Sequence, residues 1–204
     1  GEIEAALRLA PLAQGLPTLI PYDSLKGDLQ VQTDWTDGEH SIEDMAKEAK
    51  RQGLSYIAIT DHTKDLAVTY GSDEKKLLKQ MAEIDRVNKR VSGITVLKGA
   101  EVNIRKDGTL DIADEMLAKL DVVGAAVHSL FKLHKKEMTA RIIRAMRNRH
   151  VDILFHPTGR LIQKREPYEL DIDEVIQAAK KTGTLLEINA FPARLDLRDA
   201  DIRK

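Results

Sequence analysis

Six short apolar runs, each followed by a polar or amphipathic stretch, constrain this chain more than any other feature. The runs are Leu29–Thr33, Tyr56–Thr60, Ile94–Val102, Val122–Val127, Val151–Phe155 and Leu185–Ile188. Their length and β-branched content predict strands buried on both faces, as in parallel sheets. The intervening segments carry helical signals. Ser41 with Asp44 reads as an N-terminal capping pair, Ile42, Met45, Ala46 and Ala49 line one face, and Gly53 marks a stop. Leu77, Leu78, Met81, Ile84, Val87 and Val91 fall at helical spacing within Asp73–Val91. Shorter helices are expected over Ile112–Leu120, Lys136–Arg147 and Asp173–Lys181, and another begins after Leu197. Strands alternating with helices mean a parallel α/β architecture. An open dinucleotide-binding sheet wants a glycine-rich loop after its first strand, and here Asp34-Trp35-Thr36-Asp37-Gly38 follows instead. A βα barrel is the better expectation.

The residues that close these strands define the chemistry. The first run holds Gln30 and Gln32, and the second ends in Asp61-His62. The third ends near Glu101, the fourth in His128-Ser129, the fifth in His156-Pro157 and the sixth in Glu187 and Asn189. In a barrel these ends converge on one rim, so His62, Glu101, His128 and His156 are expected to meet. Imidazoles with a carboxylate and no thiolate suit Zn²⁺, Mn²⁺ or Fe²⁺ rather than Ca²⁺. A single strand-end histidine is most often a hydrogen-bonded structural residue. Three of the chain's six histidines at equivalent ends, with an acid on the strand between, point to a metal site. His134, His150 and His40 read as surface residues, and Lys132–Arg149 as a solvated helix face.

Composition removes several alternatives. With no cysteine there is no disulfide framework, thiolate zinc site or cysteine nucleophile. A net charge of −1 argues against a strongly basic nucleic-acid arm while leaving room for a small basic cleft. No run approaches the roughly 18–20 apolar residues of a membrane span; no membrane association and a cytoplasmic location are expected. Gly15, Pro17 and Pro21 interrupt the first 27 residues after a short helix expected over Glu2–Ala13. Residues 1–27 are therefore expected to be a linker or the tail of a preceding domain, and 28–204 the domain itself.

Gly27–Gly38, Ile57–His62, Leu97–Glu101, Val127–Ser129 and Asp152–Arg160 together resemble the PHP (polymerase and histidinol phosphatase) family. The likeness is greatest to the C-terminal PHP domain of bacterial and archaeal X-family DNA polymerases, carried by His156-Pro-Thr-Gly-Arg160 and Glu187-Ile-Asn-Ala190. Residues 1–6 also resemble the segment that joins that polymerase to its PHP domain. The resemblance implies a distorted seven-stranded βα (TIM-like) barrel holding up to three divalent ions, Mn²⁺ or Zn²⁺. It implies phosphoesterase work on a DNA 3′ end or another phosphate ester, such as 3′–5′ exonuclease action in DNA repair, beside an attached polymerase domain.

Two departures qualify that expectation. The family's first motif is His-x-His, where this chain has Gln30 and Gln32; its last is Asp-x-His on the seventh strand, and this chain stops at Lys204. Carried over by resemblance, Gln30, Gln32 and Glu101 belong to a first metal site, disabled because an amide is a weaker donor than imidazole. Glu101, His128 and His156 form a second site and the expected catalytic set, while Asp37 and His62 belong to an incomplete third. Fewer than three ions are expected. Arg160 and Lys64, with Lys98 as a further candidate, would hold phosphate oxygens. The alternative is a catalytically inactive PHP module that is structural or positions DNA.

Overall fold

The computed structural model describes residues 21–204. The helix expected over Glu2–Ala13, and most of the expected linker, lie outside the described residues. Six strands, β1 (Gly27–Val31), β2 (Tyr56–Ile59), β3 (Thr95–Asn103), β4 (Val122–Ala126), β5 (Ile153–Leu154) and β6 (Leu185–Leu186), pair in sequence order. All five pairings are parallel. Each strand is joined to the next by a crossover, so the sheet curls with its strand ends gathered on one rim. The result is the βα barrel expected, without a seventh strand among the described residues. β1 and β6 stay unpaired on their outer sides, and Leu185 and Ile188 on that edge are largely exposed.

The helices start where side-chain chemistry satisfies free backbone donors. They are α1 (Ile42–Arg51), α2 (Glu74–Arg90), α3 (Asp114–Leu117), α4 (Lys135–Met146), α5 (Ile172–Thr182) and α6 (Asp199–Ile202). Ser41 Oγ accepts the Asp44 N–H, and Asp73 accepts that of Lys76, as N-caps do. Gly183 ends α5 with φ +81°, a conformation that costs a side-chain-bearing residue more.

The outer layer packs α1 and α2 on the first strands through Ile42, Ala46, Ile57, Ile59, Ile84 and Val87. α4 and α5 cover the later strands through Met138, Ile142, Met146, Leu154 and Val175. Inside the curl, Ala58, Val122, Ala126, Ile153 and Phe155 form a smaller apolar floor. The last two strands are shorter than expected, although the N–H groups of Phe155 and Glu187 still reach the Ala125 and Leu154 carbonyls at 3.0 and 3.1 Å.

Gly124 permits this floor. A Cβ there would stand 1.9 Å from Phe155 Cε2, and the ring is 1% exposed. Gly124→Ala is expected to cost about 1–3 kcal/mol by overpacking, lowering the thermal midpoint by roughly 2–4 °C per kcal/mol. An unchanged midpoint would show that the floor is loosely packed.

Candidate metal centre

Glu101 is the hub of the rim. It lies near the end of the longest strand, β3, and is 1% exposed. A lone buried carboxylate costs several kcal/mol, and four polar contacts surround it here. Oε1 lies 3.0 Å from His128 Nε2 and 2.8 Å from His156 Nε2. Oε2 accepts from Gln32 Nε2 at 3.1 Å and Gln30 Nε2 at 3.3 Å. Hydrogen bonds to an ionised group are worth roughly 1.5–3 kcal/mol each, so those from Gln30, Gln32 and His156 match the desolvation penalty in scale. Burial pushes the Glu101 carboxyl up, but the hydrogen bonds and charges of His128 and His156 prevail and hold it well below the usual carboxylate range. Burial lowers the pKa of the His156 ring, against the pull of Glu101.

The histidines converge as expected. Ring centroids of His62 and His128 are 5.1 Å apart, and those of His128 and His156 5.3 Å. His62 stands between two acids, with Nδ1 3.6 Å from Glu101 Oε2 and Nε2 3.6 Å from Asp37 Oδ2. Both distances exceed a hydrogen bond. Accordingly, His62 Nδ1 is buried with no hydrogen-bond partner among the described residues, and the same is true of His156 Nδ1. Ligand atoms of His62, Glu101 and His128 lie within 4.8 Å of one another. That grouping differs from the expected trio of Glu101, His128 and His156. His156 instead hydrogen-bonds the shared carboxylate, and its backbone N–H is held by Glu187 Oε2 at 2.6 Å.

An orphaned imidazole nitrogen beside a buried carboxylate, with borderline nitrogen and oxygen donors, fits a divalent ion of the zinc or manganese kind. The Gln30–Gln32 side fits one poorly. Both amide nitrogens face Glu101 Oε2, and Gln30 Oε1 accepts from Asn189 Nδ2 at 2.8 Å. The two N–H donors thus supply the positive partner that an ion would otherwise be to that oxygen.

The expected phosphate holders each have a partner within the protein. Arg160 donates to the main-chain oxygens of Arg194 and Leu195, fastening that loop. Lys64 pairs with Glu74 at 2.7 Å, and Lys98 with Asp85 at 2.6 Å. The cation that does line the cleft is Arg194, whose Nη1 is buried without a hydrogen-bond partner among the described residues. No motif or periodicity in the sequence separated it from the surface arginines. The cleft measures about 1190 Å³ and runs from this rim down the open side of the barrel past Phe155 and Leu186. Of the histidines set aside earlier, His40 and His134 are exposed, whereas His150 is half-buried.

A parallel βα half-barrel with a carboxylate and three imidazoles gathered at its strand ends is built to hold a divalent ion on its rim. The PHP domain family matches residues 28–191, and the chain belongs to that family. It is 46% identical over 186 residues to the DNA polymerase/3′-5′ exonuclease PolX of Bacillus subtilis, covering 91% of this chain and 33% of that protein. It is 33% identical over 153 residues to a probable phosphatase of Thermoanaerobacter sp., covering 73% of this chain and 58% of that one. The fold also matches the crystal structure of histidinol phosphate phosphatase from Lactococcus lactis, solved with zinc, L-histidinol and phosphate. That match has a TM-score of 0.54 at 15% identity, over 80% of this chain and 72% of the other. The chain thus spans a third to somewhat over a half of the curated relatives named here. No helix among the described residues is long and apolar enough to cross a membrane.

Proposed function

We propose that this chain is the PHP domain of an X-family DNA polymerase, acting in the cytoplasm on phosphoesters at DNA 3′ ends during repair, with its metal chemistry attenuated by Gln30 and Gln32. The observation that carries the reading is Glu101, which shares its carboxylate among His62, His128 and His156 at the head of an open cleft. The identity with the Bacillus relative supports the polymerase context.

In this reading His62, Glu101 and His128 hold a divalent ion, with Asp37 on the far side of His62. When bound, such an ion polarises a phosphoryl oxygen and brings the pKa of attacking water towards neutrality. Arg194, which lines the cleft, holds phosphate oxygens through its guanidinium, a charge-assisted contact. Phe191 borders the cleft and is 64% exposed, offering a face on which a terminal base can stack. His156 keeps Glu101 ionised and oriented. The second reading, an inactive module that positions DNA, is favoured by the amides that already satisfy Glu101 Oε2.

The test is Mn²⁺-dependent release of nucleotide from a 3′-labelled single strand, with p-nitrophenyl phosphate alongside. Slow hydrolysis that is lost in Arg194→Met and absent without metal is the expected result. No hydrolysis by either the native chain or a chain with histidine at 30 and 32 would favour the inactive module. For Phe191→Ala, loss of one stacking contact worth about 1–3 kcal/mol predicts weaker DNA hydrolysis with the small ester unaffected. Equal losses on both substrates would remove base stacking from the account.

A further inference from the structure

We infer that Asn103 is a positioning residue that fixes which ring nitrogen of His128 is offered to a metal ion. The inference rests on His128 being a ligand. Asn103 ends β3, two residues past Glu101 and so on the same face of the strand. It is 6% exposed.

One side of its amide faces only acceptors. Nδ2 lies 2.7 Å from Asp111 Oδ2, 3.2 Å from the Thr63 main-chain oxygen and 3.1 Å from Thr63 Oγ1. A carbonyl oxygen cannot donate, and Asp111 Oδ2 already accepts the Asp65 N–H at 3.0 Å. Turning the amide over would set Oδ1 against these oxygens, so the nitrogen belongs on this side. Oδ1 then faces His128 Nδ1 at 2.7 Å. An amide oxygen only accepts, so Nδ1 carries the ring proton. His128 Nε2 is left as the ligating atom, 3.0 Å from Glu101 Oε1. In the neutral ring this sets a nitrogen lone pair beside a carboxylate oxygen, as in a pair of ligands to one cation.

The orientation is held from behind. Asp111, 2% exposed, also accepts from Thr63 Oγ1 at 2.8 Å and from the Asn103 N–H at 2.9 Å. Thr63 follows His62 directly, and its N–H reaches the Glu101 carbonyl at 3.2 Å. The two neighbouring strand ends that carry His62 and Glu101 are therefore tied to the residue that sets the His128 tautomer. Outer partners of this kind typically change metal affinity by about 10- to 100-fold when lost.

The experiment is long-range ¹H–¹⁵N correlation of the histidine rings in the Zn²⁺-loaded native chain, with Zn²⁺ affinity measured by competition with a chromophoric chelator. A protonated Nδ1 and a zinc-shifted Nε2 on His128 are expected. A His128 ligated through Nδ1 overturns the inference without any variant being made. Asn103→Leu is then expected to weaken Zn²⁺ binding by about 10- to 100-fold and to mix the His128 tautomers. Unchanged affinity with an unchanged tautomer in that variant would equally overturn it. Should the native chain bind no Zn²⁺ at all, the metal reading itself fails, an outcome separate from either of these.

Discussion

Replacing Gln30 and Gln32 together by histidine is expected to add an ion to the site and to raise Mn²⁺-dependent hydrolysis at least tenfold. The two amides now donate to Glu101 Oε2 at 3.3 and 3.1 Å. Imidazoles at the same positions would present lone pairs there, and the oxygen would need a cation in their place. Gln30 and Gln32 alternate along the chain and approach the same carboxylate oxygen, so both changes act on one site. A single substitution leaves one amide in the way and should give little. Tenfold corresponds to about 1.4 kcal/mol of barrier, a modest demand on an added divalent charge beside a phosphoryl group. Metal content after loading and dialysis, measured beside the 3′-end assay, checks both halves. Three ions held tightly by the unaltered chain would show that the glutamines do not weaken the site.

Glu101→Gln is expected to be the most damaging conservative change in the molecule. The carboxylate is satisfied on both oxygens, which separates it from active-site acids whose removal relieves strain. A glutamine there would set an amide nitrogen against either the His156 ring or the amide donors of Gln30 and Gln32. Breaking a buried charged pair from one side typically costs about 3–5 kcal/mol, which for a chain of this size lowers the thermal midpoint by roughly 10 °C. Metal binding should disappear with it. Thermal unfolding with and without Zn²⁺ reads both effects: the native midpoint rises with zinc and that of the variant does not. A variant as stable as the native chain would mean that Glu101 is held less firmly than its hydrogen bonds indicate.

The sequence exposed the framework of this site and hid its details, for a physical reason. Strand ends of a βα barrel meet on one rim, so locating His62, Glu101, His128 and His156 at the ends of apolar runs was enough to bring them together. How they group depends on side-chain direction: ligand atoms of His62, Glu101 and His128 lie within 4.8 Å of one another, and His156 Nε2 meets Glu101 Oε1 at 2.8 Å. Arg160 and Lys64 had the expected charge, and the fold gives each a partner within the protein. Those partners, a loop carbonyl thirty-four residues on and Glu74 at the start of α2, have no signature in spacing. Asn103 and Arg194 were missed for the complementary reason. Each is an ordinary polar residue whose role arises from a single neighbour brought in by the fold.

The most direct test of the metal centre is an anomalous difference map at the zinc edge from crystals of this chain grown with Zn²⁺. The account predicts a peak within coordination distance of His62, Glu101 and His128, about 2.0–2.2 Å from their ligand atoms, and none against Gln30 or Gln32. Zinc found only elsewhere on the molecule, or an empty rim at saturating Zn²⁺, would contradict it.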